Sequence, residues 1–310
     1  MPFPAKTSMR INWILLTALF IFASLAGLPS YAQDGKVLPL RLVDDQGHVF
    51  LLAHRAKRII SLSPAITELV FAAGAGEKLV GVSRFSDYPA AARSIPSVGD
   101  AFSLDLERLL MLEPDLVIAW RSGNTKLGID QLERLGLRVF VTEATQLADI
   151  PRLLRTIGKL AGTLPVAESA AQNFEMALQR LKQQRATHEP VSVFQLIWPQ
   201  PLITAGAAHI INDIINVCGG TNSFASLPDL MPIISEENLL AANPAVIFSS
   251  ISDELLASNT YGFVQRFPHI SAVKSGHVYF IHPDLIHRQS PRILEATRLV
   301  CARLDAMHAQ

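Results

Sequence analysis

Short apolar runs, each closed by glycine, proline or a polar turn, alternate along this chain with segments whose apolar positions recur every three to four residues. Residues 58–62, 79–82, 116–120 and 139–141 read as buried strands. Between them, 67–73 reads as a helix closed by Gly74 and Gly76, 106–112 as a helix stopped by Pro114, and 131–135 as a helix capped by Gly136. Strands and helices alternating at this pitch predict a parallel sheet covered on both faces.

The second half repeats this grammar. The segment from Glu107 to Val117 can be laid on that from Glu237 to Ile247 at a shift of 130 positions, which superposes Leu109 on Leu239, Leu110 on Leu240 and Pro114 on Pro244. Further on, 136–141 resembles 276–281 at a shift of 140. Two matches in the same order predict two lobes of one topology. Between them, 164–186 has helical periodicity with no internal glycine or proline, with Thr163 as N-cap and Pro165 in its first turn. About 22 helical residues span roughly 33 Å, enough to cross from lobe to lobe. The expected fold is therefore α/β. Its two similar lobes, 58–162 and 189–310, each hold a mainly parallel sheet flanked by helices and are joined by one long linking helix at 163–188. One continuous strut predicts a stiff pair with small opening motions.

The N-terminus has its own pattern. Lys6 and Arg10 precede an apolar run over 13–28, followed by the small-x-small triplet Ser30-Tyr31-Ala32. That order describes a secretory signal peptide over 1–32, cleaved near Ala32/Gln33. The run falls short of the roughly 20 residues that span a bilayer, and no cysteine follows it to carry a lipid. The next segment, 33–57, reads as an N-terminal hairpin turning at Asp45-Gln46-Gly47.

Composition narrows the function. The 310 residues carry 27 Lys+Arg against 27 Asp+Glu, so there is no bulk charge to attract nucleic acid or an anionic membrane. Cys218 and Cys301, the only cysteines, lie 83 positions apart. In an exported protein they favour a disulfide over two buried thiols, with loop closure contributing about 4.5 kcal/mol. No Gly-x-Ser-x-Gly elbow, phosphate-binding loop or complete dinucleotide fingerprint is present, so no catalytic residue is assigned. Nine histidines are scattered, with 282–287 the one tight cluster, and no metal site or cofactor is expected.

Aromatic residues are few, so their positions carry weight. Phe85, Tyr88, Phe102 and Trp120 fall at or beyond strand ends in the first lobe, and Trp198 beyond a strand end in the second. Ligands of open α/β sheets lie outside the carboxyl ends of the strands. Packing under loops is the alternative use of such rings, above all for Phe85 and Phe102. Flat aromatic walls suit a large, rigid, mostly uncharged ligand. Asp284 and Arg288 follow a further strand as either a local ion pair or a pair of ligand hydrogen-bonding groups. Glu107 and Glu237 occupy equivalent first-turn positions. Helix-dipole stabilisation alone accounts for each, and their symmetry suggests two carboxylates docking onto a partner's arginine pockets.

The stretches 60–74, 82–89 and 113–124, with Val217-Cys218-Gly219-Gly220 and 288–294, resemble the periplasmic cobalamin-binding proteins of bacterial vitamin uptake. The resemblance covers about residues 57–307. It belongs to the helical-backbone class of solute-binding proteins, which also holds haem, siderophore and metal binders. It implies a monomeric, non-enzymatic periplasmic protein that holds a corrinoid in the inter-lobe cleft and passes it to an inner-membrane ABC transporter. A haem or ferric-siderophore binder on the same scaffold is the rival. By position, Ala65, Phe85, Trp120, Asp284 and Arg288 would touch the ligand, Glu107 and Glu237 would dock the transporter, and Cys218–Cys301 would be a disulfide. The chain departs from the family where Phe85 replaces a tyrosine and where family tryptophans fall at Ala101 and Met231. The second-lobe loop 196–203 is also rebuilt around Trp198.

Overall fold

Short, mostly apolar runs make the central strands of both sheets, and their alternation decides which layer each side chain joins. The computed structural model describes residues 1–4, 39–184, 189–250 and 261–308; the fold set out here is that of Pro39 onward. Beyond its first four residues, the expected signal peptide lies outside the described residues. So do its cleavage site and the linking segment's last stretch, 185–188.

β1 (Leu40–Val43) and β2 (Val49–Leu52) form the expected antiparallel hairpin, pairing Leu42 with Phe50. β3 (Ile59–Ser61) leads into α1 (Pro64–Ala72), which starts three residues earlier than the apolar pattern indicates. Ser63 Oγ accepts the Ile66 N–H at 3.1 Å, and Pro64 occupies the first turn. β4 (Leu79–Val82), α2 (Leu106–Met111) and β5 (Leu116–Trp120) follow. α3 (Lys126–Arg134) also begins early, capped by the Thr125 hydroxyl, and leads to β6 (Val139–Thr142). α4 (Asp149–Ala161) and α5 (Leu164–Gln183) then run in succession.

The second sheet comprises β7 (Val191–Leu196), β10 (Gly220–Asn222), β11 (Val246–Ser249) and β12 (Val278–Phe280). A two-residue-arm hairpin of β8 (Trp198–Pro199) and β9 (Leu202–Ile203) leaves the carboxyl end of β7. The helices here are α6 (Ile210–Val217), α7 (Glu236–Ala242), α8 (Tyr261–Arg266), α9 (Ser271–Lys274), α10 (Pro283–Ile286) and α11 (Ile293–His308). Strand order is β4-β3-β5-β6 in the first sheet and β10-β7-β11-β12 in the second, parallel throughout. In both, the second strand in sequence flanks the first on one side and the third and fourth extend the other. The internal repeat is thus a repeat of topology.

Period-two alternation shows in the packing. Ile59, Leu116, Ile118, Val193, Val246 and Phe248 enter one apolar cluster that is continuous between the two sheets. Their neighbours Ile60, Val117 and Ala119 face a separate cluster on the first sheet, and Phe194, Leu196 and Ile247 one on the second. The sequence predicts lobes with cores of their own; the largest core instead runs through both. It is carried by α5, whose buried stripe Ala167, Ala171, Phe174, Leu178 and Leu181 follows the helical repeat. α5 packs on α4 and α1 of the first lobe and on α11 of the second. Its 20 residues span about 30 Å. Gly158 allows the α4–α5 approach, since a Cβ there would lie 2.4 Å from Ala167 Cβ. The Thr163 hydroxyl, expected to cap α5, makes no cap bond. Cys218 and Cys301 are disulfide-bonded and tie the end of α6 to α11.

Candidate ligand-binding cleft

The carboxyl ends of the two sheets supply both walls of a cavity of about 180 Å³. Trp120, Ser122, Glu143 and Ala144 come from the first lobe; Ile197, His209, Met231, His287 and Gln289 are among those from the second. Drug-sized ligands fill roughly 300–1,000 Å³, so this cavity alone is smaller than a usual ligand site.

Trp120 is fixed from three directions. Its backbone N–H donates to Asn124 Oδ1 at 2.8 Å, and Asn124 Nδ2 donates to the Leu62 carbonyl. Its indole Nε1–H donates to Glu143 Oε1 at 3.2 Å. Its ring lies against Gly123, where a Cβ would fall 1.8 Å from the ring. The buried Glu143 carboxylate also accepts the Ser122 N–H and hydroxyl. Glu143 is held in turn by the N-terminal hairpin: its N–H donates to Asp45 Oδ2 at 2.6 Å, and Arg152 bridges Asp45 to the Glu143 carbonyl. The hairpin therefore braces the cleft floor, a role its sequence does not disclose.

Phe85 is 71% exposed and sits at φ +66°, a left-handed conformation that is uncommon for a bulky residue. It is held there from several sides. The Ser83 and Ser86 hydroxyls lie within hydrogen-bond reach, Thr67 Oγ1 donates to Ser86, and Arg288 Nη2 donates to the Phe85 carbonyl. Backbone strain that projects an apolar ring into solvent is characteristic of binding sites. Phe102 is 85% exposed on a loop tied to the end of β4, where Asp100 Oδ1 accepts two of the loop's N–H groups and Arg84 N–H donates to the Gly99 carbonyl. Trp198 is exposed on the β8–β9 hairpin, its indole N–H donating to the Gln200 carbonyl.

Ala65, Tyr88, Asp284 and Arg288, like Phe85, Phe102 and Trp198, are not in the lining of this cavity. Ala65 is buried in the first turn of α1. The Tyr88 ring lies under the Arg292 guanidinium at 4.0 Å and lines a separate cavity of about 460 Å³ between α1 and α11. Arg288 is 9% exposed, and both its terminal nitrogens are taken by protein: Nη1 donates to Glu68 at 3.1 Å and Asp87 at 2.6 Å, while Nη2 reaches the Phe85 carbonyl and Asp284 at 2.8 Å. Burial disfavours the charged forms in this cluster, but the bonds and charges between Arg288 and Asp87 outweigh it, holding Asp87 below the usual carboxylate range and Arg288 above the usual guanidinium value. Glu68 on α1 also accepts from Arg292 at 3.1 Å and from the Ser290 hydroxyl at 2.6 Å. Glu68 and its partners thus join the lobes. Arg288 and Asp284 belong first to this junction.

The sequence reading omits Glu143, Ser122, His209 and His287 as cavity residues. Glu143 stands one residue beyond β6, so the strand-end rule applied to the aromatic residues would have marked it. His209, the N-cap of an apolar helix, gives no such signal. Burial pushes the imidazole of His209 down to about 3 and that of His287 to about 4, so both are neutral near pH 7. Among the described residues, no group of three or more His, Cys, Asp or Glu is placed to hold a metal ion. Glu107 and Glu237 are exposed in the first turns of α2 and α7.

Comparison with known proteins gives a consistent picture. Residues 59–285 match the family model described as periplasmic binding protein. The vitamin B12-binding protein of Vibrio cholerae serotype O1 is 34% identical over 255 residues, covering 82% of this chain and 91% of the relative. That of Photorhabdus laumondii is 32% identical over 248 residues, covering 80% and 88%. Among solved structures, the periplasmic vitamin B12 binding protein of Vibrio cholerae matches with a TM-score of 0.75 at 34% identity, over 82% of this chain and 99% of that one. A periplasmic heme-binding protein from Roseiflexus sp. RS-1 matches with a TM-score of 0.70 at 25% identity, over 81% and 99%.

Proposed function

Since the chain belongs to the periplasmic binding protein family, we propose that it captures cobalamin or a closely related corrinoid between its lobes and delivers it to an inner-membrane ABC importer. The observation that carries this reading is the cavity itself, which straddles the carboxyl ends of two parallel sheets and has a pinned tryptophan in one wall. The ligand set of this reading is Trp120 in the cavity wall together with the exposed rings of Phe85, Phe102 and Trp198. Asp284 and Arg288 fix the wall that presents Phe85. Charge favours a corrinoid over haem. The cavity lining holds the Glu143 carboxylate, two neutral histidines and, among the described residues, no lysine or arginine, so haem propionates entering it would meet no cation there. The mature chain works in the periplasm as a monomer after loss of the signal peptide at 1–32. It needs no resident cofactor and performs no reaction.

Isothermal calorimetry is the direct test. Cyanocobalamin should bind one to one with Kd below about 1 μM, and haem should bind more weakly. Haem binding tighter than cobalamin would replace this reading with its rival, and no heat with either would remove both.

Delivery is assigned to Glu107 and Glu237. Each is followed one helical turn later by an exposed leucine, Leu110 at 41% and Leu240 at 48%, so both lobes present the same carboxylate-plus-apolar pair. Ser235 holds the Glu237 carboxyl below its usual range, which keeps it charged. Reversing both charges with E107K and E237K should leave the cobalamin Kd within about twofold and abolish corrinoid uptake by cells. Equal loss of binding and uptake would make the two glutamates structural.

A further inference from the structure

His209 is 5% exposed, lines the cavity, and is not explained by its role as a helix cap alone. Its Nδ1 accepts the Ile211 N–H at 3.1 Å, fixing the ring against the start of α6. A nitrogen that accepts a backbone N–H carries no proton, so the proton of the neutral ring sits on Nε2. Nε2 has no hydrogen-bond partner among the described residues and is not one of their fully buried unpaired atoms, so on this cavity-lining residue it is open to a ligand acceptor. The same proton prevents Nε2 from ligating a metal at the centre of a macrocycle. The charge around it selects the acceptor: Glu143 supplies a carboxylate to the same cavity, whose lining among the described residues contains no lysine or arginine.

We infer that His209 is a ligand-binding and specificity residue whose Nε2–H donates to an uncharged carbonyl oxygen, an amide on the rim of the bound macrocycle. This rests on the corrinoid reading above, since a corrinoid's rim carries side-chain amides. Low basicity supports it: an imidazole that stays neutral donates one hydrogen bond and brings no charge to attract a carboxylate. His209 would thereby favour a ligand with amides at that position over one with acids.

The test is calorimetry on the mature protein with H209N. Asparagine retains an oxygen able to cap α6 but lacks the ring that reaches the cavity. Cobalamin should bind H209N about tenfold more weakly while the thermal midpoint stays that of the wild type. H209S, which also caps, should behave alike and serves if H209N folds poorly. The wild type should also bind a corrinoid whose side-chain amides have been hydrolysed to carboxylates at least about tenfold more weakly than cobalamin. Unchanged cobalamin affinity in folded H209N or H209S would reduce His209 to a cap. Tighter binding of the hydrolysed corrinoid would overturn the choice of an amide. If the wild type binds no corrinoid, this assignment falls together with the proposed function; if it binds and the variants bind equally, only the assignment falls.

Discussion

Replacing Glu68 with alanine is expected to cost the fold about 3–5 kcal/mol, the usual price of stranding buried charges by removing their partner. Glu68 is 3% exposed and accepts three hydrogen bonds from the other lobe, from Arg288, Arg292 and the Ser290 hydroxyl. Without it, Arg288 keeps Asp87 and Asp284, whereas Arg292 keeps only the face of Tyr88 among the contacts described above. Those surviving partners place the cost toward the lower end of the range. E68Q should cost less, because an amide oxygen still accepts bonds while the charge is gone. The measurement is the urea midpoint at constant slope, with the thermal midpoint falling on the order of 10 °C. Because Arg288 also holds the Phe85 carbonyl, E68A should weaken cobalamin binding as well as stability. A loss under about 1 kcal/mol would mean that Asp87 and Asp284 alone neutralise the junction.

That junction also marks how far the sequence could be read. Asp284 and Arg288 stand four apart, and an i,i+4 pair is visible in any sequence. The partner that makes Arg288 an inter-lobe clasp is Glu68, 220 positions away, and no local pattern connects them. The same holds for the hairpin. Its strands and turn are legible, but its purpose depends on Asp45 meeting Glu143 at a separation of 98. The strands β3, β5 and β6 were legible because each is a short, largely apolar run buried on both faces. Helix starts were less so, because Ser63 and Thr125 extend α1 and α3 upstream of their apolar repeats. Trp120 was legible as a strand-end aromatic; Tyr88, chosen on similar grounds, lies under Arg292 and lines a different cavity. Proximity to a strand end narrows where a side chain starts, and only tertiary packing decides which cavity it reaches.

The two cleft histidines give the fold a pH dependence separate from that of its carboxylates. His209 is held at about 3 and His287 at about 4, burial being the main cause in each, against about 6.5 for a histidine in an unfolded chain. Between those values the unfolded chain binds protons that the folded one refuses, so stability is full above pH 6.5 and falls as the solution is acidified toward pH 4 and below. Each group contributes about 1.4 kcal/mol per pH unit inside that window. From pH 7.5 to pH 5 the pair should lower stability by about 4 kcal/mol, a large share of the roughly 5–15 kcal/mol typical of a folded domain. Ordinary carboxylates titrate mainly below pH 5, so the histidine contribution can be read in that interval without them. Urea midpoints at half-unit steps are the measurement. H209N should remove about half of the acid loss, because His287, bonded through Nε2 to the Ser250 hydroxyl, remains. A midpoint that is flat between pH 7.5 and pH 5 would mean that both rings charge freely in the folded state, and the cleft floor could then not be the dry, neutral surface on which amide recognition by His209 depends.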